Sequence, residues 1–340
     1  MNAEPLSSPL AFKDRKTGLV IFGILTLLMG VGCAFFVPLV IVGQTMSPKS
    51  PDTSRAIAVI LPVVGVYGSL AVALVWLGIG SIKTRRWARA LLLIFSWSWL
   101  ITGVISLVVM AMLVPQFLQA IESAQPRGQA GLSQATKSVI ILIPALMMLI
   151  ILLILPLIWV LFYGSKHVKA TCLARDGVIR WTDRCPLPVL AVTLWLGFGG
   201  LMMAIMPFAY HGVFPFFGQF VAGPIGMILY FGFALLWGYC AYALYKLDLR
   251  GWWLIVAGLC IFSLSSVLTY AHHDIFELYR LMGYPEEQIA QIQKFNFFKG
   301  GMMIWGSLIY TVPFLIYLIY IRKFFGRSNQ AAAFPDVKAG

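Results

Sequence analysis

Eight separate stretches of this chain stay apolar for about 20 residues or more, the length needed to cross roughly 30 Å of hydrocarbon. They run Gly18 to Gln44, Ala56 to Ile82, Ala90 to Val114, Val139 to Gly164, Val189 to Phe208, Gly223 to Tyr245, Trp252 to Ala271 and Gly301 to Ile321. No soluble domain fits between them. Hydrophobic residues make up 60% of the 340 positions and charged ones 11%, more apolar surface than a soluble fold of this length can hide. The rest must face lipid, so the expected fold class is an all-α polytopic membrane protein with eight transmembrane helices.

A formal net charge of +13 would suggest nucleic acid in a soluble protein, but the positions of the cations give a different reason. Of 25 Lys and Arg, 18 fall in the N-terminal segment, in the connections after the second, fourth and sixth spans, and after the eighth. An excess of Lys and Arg marks the cytoplasmic side. Both termini are therefore expected in the cytoplasm, the protein in the cytoplasmic (inner) membrane, and the bilayer rather than nucleic acid as its partner. None of Asn2, Asn296 and Asn329 opens an Asn-X-Ser/Thr acceptor, which is compatible with a bacterial origin. Lys13 to Lys16, an apolar run and Cys33 look superficially like a lipoprotein signal, yet the run continues past Cys33 to spanning length, so the first helix is expected to stay uncleaved.

The spans divide the chain into a segment 1–17, a first four-helix half 18–164, a basic linker 165–188, a second half 189–325 and a polar tail 326–340 that reads as disordered. The halves share landmarks, which suggests a parallel repeat. Leu27, Gly30 and Pro38 match Leu196, Gly199 and Pro207 at one offset; Trp87 and Trp252 each open a third helix; Pro156, Leu161, Tyr163 and Lys166 fall on Pro313, Leu318, Tyr320 and Lys323. The third-to-fourth connection is long in both halves. Each is expected to carry a short surface helix: Phe117, Leu118 and Ile121 in the first, broken by Gln125 to Gly128, and Ile289, Ile292 and Phe295 behind Pro285 in the second.

From Cys185 to Tyr245 there are 61 residues with no Asp, Glu, Lys or Arg, and ion-coupled transport usually needs ionisable groups at that depth. Span prolines at 38, 62, 144, 156 and 313 free carbonyls and kink helices, mostly for packing. Glycines such as Gly65, Gly68, Gly197, Gly199 and Gly200 favour close helix approach. The uncharged aromatic connection from Tyr210 to Phe220 is either a re-entrant loop or, the plainer choice, a boundary segment.

One outer cluster has the residue types of a metal site: His272, His273, Asp274 and Glu277, with His211 from the preceding outer connection. Imidazole and carboxylate suit zinc or another divalent metal, and His273 and Glu277, four apart, share a helix face. Against this, tandem histidines cannot both reach one ion from a regular helix, so polar caps at an interfacial helix end are the plainer expectation. On the inner side His167, Cys172, Asp176, Asp183 and Cys185 lack paired C-x-x-C spacing. There Arg175, Arg180 and Arg184 are expected to face anionic headgroups, Trp181 to anchor, and Asp176-Gly177 to turn.

No nucleotide, dinucleotide, haem or serine-hydrolase motif is present. The expected role is a noncatalytic membrane scaffold, sensor or assembly partner that binds another membrane protein or a second copy of itself. The alternatives are a transporter of a small neutral or hydrophobic solute, and a membrane-bound metal-dependent enzyme acting on a lipid or envelope precursor.

Overall fold

The structure, a computed structural model, describes residues 13–45, 53–123, 134–294 and 301–325. The expected tail, Phe295 and the break at Gln125 to Gly128 lie outside them. Among the described residues eight helices are long and apolar enough to cross a membrane. In chain order the helices are α1 (Lys16–Thr45), α2 (Thr53–Ile82), α3 (Arg86–Ser123), α4 (Gln134–Leu149), α5 (Leu155–Gly164), α6 (Lys166–Arg175), α7 (Leu187–Ala209), α8 (Pro224–Tyr245), α9 (Leu249–His272), α10 (Ile275–Leu281), α11 (Glu286–Lys294) and α12 (Gly301–Ile321). A π turn, Ile150–Ile154, joins α4 to α5 as one span. Two three-residue strands, β1 (Phe214–Phe216) and β2 (Gln219–Val221), are the only departure from helix among ordered elements described.

The chain forms two compact units: Met1–Pro48, Val63–Val109 and Val139–Asp183; and Lys49–Pro62, Met110–Ser138 and Arg184–Gly340. In the first, α1 and α2 approach at glycines. A Cβ on Gly23 would stand 2.9 Å from the Gly78 carbonyl, and one on Gly30 2.9 Å from the Val75 nitrogen and 3.1 Å from the Ala71 carbonyl. Hydroxyls then stitch α1, α2 and α5: Ser81 donates to the Leu19 carbonyl at 2.9 Å and lies 2.9 Å from the Tyr163 hydroxyl, while Trp159 donates to Thr26 at 3.4 Å. In lipid such groups have no water to turn to, so they are spent inside the chain.

Pro156 has no N–H for the carbonyls four and five residues before it, and the helix answers with the π turn. The Leu152 carbonyl ends up facing Gly103 of α3, where a Cβ would overlap the oxygen.

In the second unit α7 meets α8 where a Cβ on Gly200 would lie 3.1 Å from the Ala234 carbonyl and 3.4 Å from the Gly238 nitrogen. Trp252 at the start of α9 donates to the Leu318 carbonyl of α12 at 2.8 Å, satisfying one of the acceptors that every helix leaves free at its last turn.

One turn occurs in both units. After α2, Thr84 takes φ 54°; after α8, Leu247 takes φ 57°. Thr84 N–H donates to Ser81 and Arg85 N–H to Gly80, as Leu247 N–H donates to Leu244 and Asp248 N–H to Ala243. Gly80 abuts Ala88, and Gly251 abuts Ala243, so the small pair recurs with its members exchanged. From Leu77 to Arg85 and from Cys240 to Asp248 the order of buried and exposed positions is identical.

Several expectations shift in register. Packing pairs the buried Leu19, Thr26 and Gly30 with the buried Val189, Leu196 and Gly200, one residue beyond the match of letters at Gly199. The common turn sets Trp252 against Arg89, not Trp87. Tyr163 is fully buried while Tyr320 is 50% exposed, and Leu161 is 67% exposed while Leu318 is buried, so the matched letters at the ends of α5 and α12 lie on different faces. Among the described residues the first surface helix is not a separate element, because α3 continues through Pro115 to Ser123. The second is present as α11, with Ile289 fully buried and Ile292 half-buried.

Candidate functional site

Two polar centres stand out, one in each unit. In the second unit α7 ends with His211 in the left-handed region at φ 51° while the Gly212 N–H reaches back to the Pro207 carbonyl at 3.0 Å. The chain then forms a hairpin, Phe214 opposite Val221 and Phe216 opposite Gln219. Its two loop residues, Phe217 at φ 41° and Gly218 at φ 87°, make the turn with two positive φ values that suits strand twist.

Their amides are capped by α9: Phe217 N–H donates to Ser265 Oγ at 2.9 Å and Gly218 N–H to Thr269 Oγ1 at 3.0 Å. Ser265 precedes the last residue of α9 by seven positions, about 10 Å along the helix. Phe214 goes deeper. It is fully buried and packs on Tyr230, Phe233 and Phe262 at ring distances of 4.9, 5.4 and 6.2 Å. The aromatic connection is therefore held against its own unit, with Phe214 buried and the loop amides bonded to α9.

Beside this hairpin the outer histidine cluster separates. His273 Nδ1 pairs with Glu277 Oε2 at 2.7 Å, with the Phe220 ring 5.6 Å away. His272 turns to its own helix, 2.9 Å from the Leu268 carbonyl. Asp274 starts α10 without a side-chain cap, its carbonyl receiving the Glu277 N–H. Exposed His211 serves as the α7 ending. Among the described residues no group of three or more His, Cys, Asp or Glu is placed to hold a metal ion, so of the zinc-type set only the His273–Glu277 pair comes together. Tyr210 and Tyr279 nearby titrate above their ordinary value because of burial.

The first unit's centre is cationic. Asp176, 2% exposed, receives Arg85 Nη1 at 3.1 Å, Arg180 Nη1 at 2.7 Å and the Arg86 backbone N–H at 3.0 Å. Burial pushes its carboxyl up, but those hydrogen bonds outweigh it and hold the group below the ordinary value. Asp183 pairs with Arg86 at 3.3 Å. Arg175 binds Asp14 at 2.6 Å, and the hydrogen bond lowers that carboxyl too.

Arg175, itself exposed, pairs with Asp14, and Arg180 pairs with Asp176. One expectation is corrected. Asp176-Gly177 makes no turn: Asp176 is extended and caps the start of α3 from a distance. Cys172 and Cys185 are buried free thiols that burial pushes up to about 11 and about 12, poor metal ligands or nucleophiles in that state. The Asp176 centre was missed because an Asp-Gly pair reads as a turn; the available signal was four arginines in two short segments opposite only two acids.

Fold and centres define a multi-pass α-helical membrane protein. The chain matches no protein-family model, no curated protein and no solved structure.

Proposed function

We propose that the protein is a noncatalytic scaffold, sensor or assembly partner of the cytoplasmic membrane, with both termini in the cytoplasm, that binds another membrane protein or a second copy of itself. The observation carrying this reading is where the intramembrane polar groups go. Thr26, Ser81, Ser96, Trp159, Trp252, Ser265 and Thr269 bond within the chain, while Thr193 Oγ1 and Trp237 Nε1 are buried without a partner. A frame built this way holds a shape, and its lipid-facing surface is left for recognition. A duplicated four-helix origin accords with the recurring turn and the paired glycine contacts.

The solute-transporter reading draws on one specific feature, the π turn whose Leu152 carbonyl faces Gly103 at a broken span. Proteoliposomes separate the two. A scaffold leaves stopped-flow permeability to glycerol, urea and small sugars at the value of protein-free vesicles; solute-specific acceleration overturns the scaffold in favour of the carrier. Photocrosslinkers at Val72, 72% exposed, and Leu235, 76% exposed, should then yield one discrete protein product in native membranes, where lipid adducts alone would count against a protein partner.

A further inference from the structure

The arginine centre of the first unit carries more charge than its acids can balance. Arg85, Arg86 and Arg180 are bound to Asp176 and Asp183, and Arg89 brings a fourth guanidinium whose Nε is buried without a hydrogen-bond partner. Among the described residues, four cations against two anions leave two positive charges unmatched at this centre. The start of α3 adds the positive end of a helix dipole at the same point.

Arg89 also lies where the equivalent turn of the second unit puts Trp252, whose only polar atom is spent on Leu318. In the first unit that position holds a permanent charge in the first turn of an apolar span, Arg86–Pro115. An arginine in a span's first turn can reach the interface, where anionic headgroups are available to it.

We propose that Arg85, held by the Asp176 carboxylate, and Arg89, four residues further along the chain, bind the phosphate of an anionic phospholipid in the leaflet at this end of the unit. Charge complementarity selects the headgroup, and the planar fork of guanidinium suits phosphate oxygens. The exposed stripe of Trp97, Ile101, Val104 and Val108 on α3 offers a track for the acyl chains. Arg175 adds nothing to the excess, its charge being matched one to one by Asp14.

The test compares the full-length protein in phosphatidylcholine nanodiscs with nanodiscs containing a rising fraction of phosphatidylglycerol. The thermal midpoint of the wild type should rise with phosphatidylglycerol, as binding to the folded state alone requires. Arg89→Gln should lose most of that rise, keep its midpoint in pure phosphatidylcholine and retain several-fold less phosphatidylglycerol in native mass spectrometry. Arg85→Gln, at a side chain 40% exposed, tests the same site should Arg89→Gln fold poorly, and Arg184→Gln should keep the full response. An unchanged rise in both Arg89→Gln and Arg85→Gln overturns the proposal, as does an equal loss in Arg184→Gln, which would mean general surface charge. If inorganic phosphate in detergent gives the whole rise by itself, the site takes a soluble anion and the lipid assignment fails.

Discussion

The turn after α2 and the turn after α8 share a backbone and a burial pattern and differ in how the next helix is capped. Both place a non-glycine residue at positive φ and close with the same hydrogen bonds. In the second unit Asp248 caps α9 from its own chain position, accepting the Arg250 N–H at 2.9 Å, the ordinary local solution. In the first unit that position is Arg85, and the cap comes from Asp176, about 90 residues away, together with two guanidinium groups. A local cap makes the turn self-sufficient. A distant one makes the start of α3 depend on α6 and the segment after it.

Sharpening that contrast begins with Asp176→Ala, which leaves three donors without their acceptor. The cost expected for a buried carboxylate whose partners are partly exposed is about 3 kcal/mol, read as a lower denaturation midpoint in detergent. Because the folded-state value of Asp176 lies below its ordinary 3.8, the stabilisation is complete above that pH and is lost as pH falls through the lowered value. Stability should therefore be flat in this respect from neutrality down to about pH 4 and fall below it, and Asp176→Asn should remove that acid-side loss. A wild type without it would break the argument.

Next in size is Gly103→Ala, whose methyl must displace the Leu152 carbonyl at the π turn. About 2 kcal/mol is expected for overpacking at a site that cannot easily yield. An unperturbed midpoint would mean the span adapts. In the second unit, Ser265→Ala removes the acceptor of the Phe217 amide, and about 1 kcal/mol is expected by analogy with other intramembrane hydrogen bonds; exchange of the Phe217 amide should quicken in the same variant. Smallest should be Asp248→Ala, about 0.5 kcal/mol for an exposed cap. If it matched Asp176→Ala, the distinction between local and distant capping would be lost.

The spans were legible because length and apolarity alone decide them. The hairpin was not, since two strands of three residues leave no periodicity to read; only Pro215, Gly218 and the missing charges hinted at something tucked into the unit. Letter matches between the halves did not foretell matching faces: Gly30 is buried as Gly200 is and Gly199 is not, and Tyr163 is buried while Tyr320 is exposed. The outer histidines suggested a ligand set from residue type alone. Backbone geometry spends His211 and His272 locally, and only His273 and Glu277, one helical turn apart, meet.

The hairpin between α7 and α8 also sets a clock. Its loop amides are satisfied by Ser265 and Thr269, residues made roughly 50 positions later in the chain. At a synthesis rate of 5–20 residues per second that interval is about 3 to 10 s. Throughout it those two backbone donors lack the acceptors that later hold them, and α7, the helix just made, carries no charged side chain. The ribosome must deliver α9 before the hairpin can settle, just as the start of α3 must wait for Asp176.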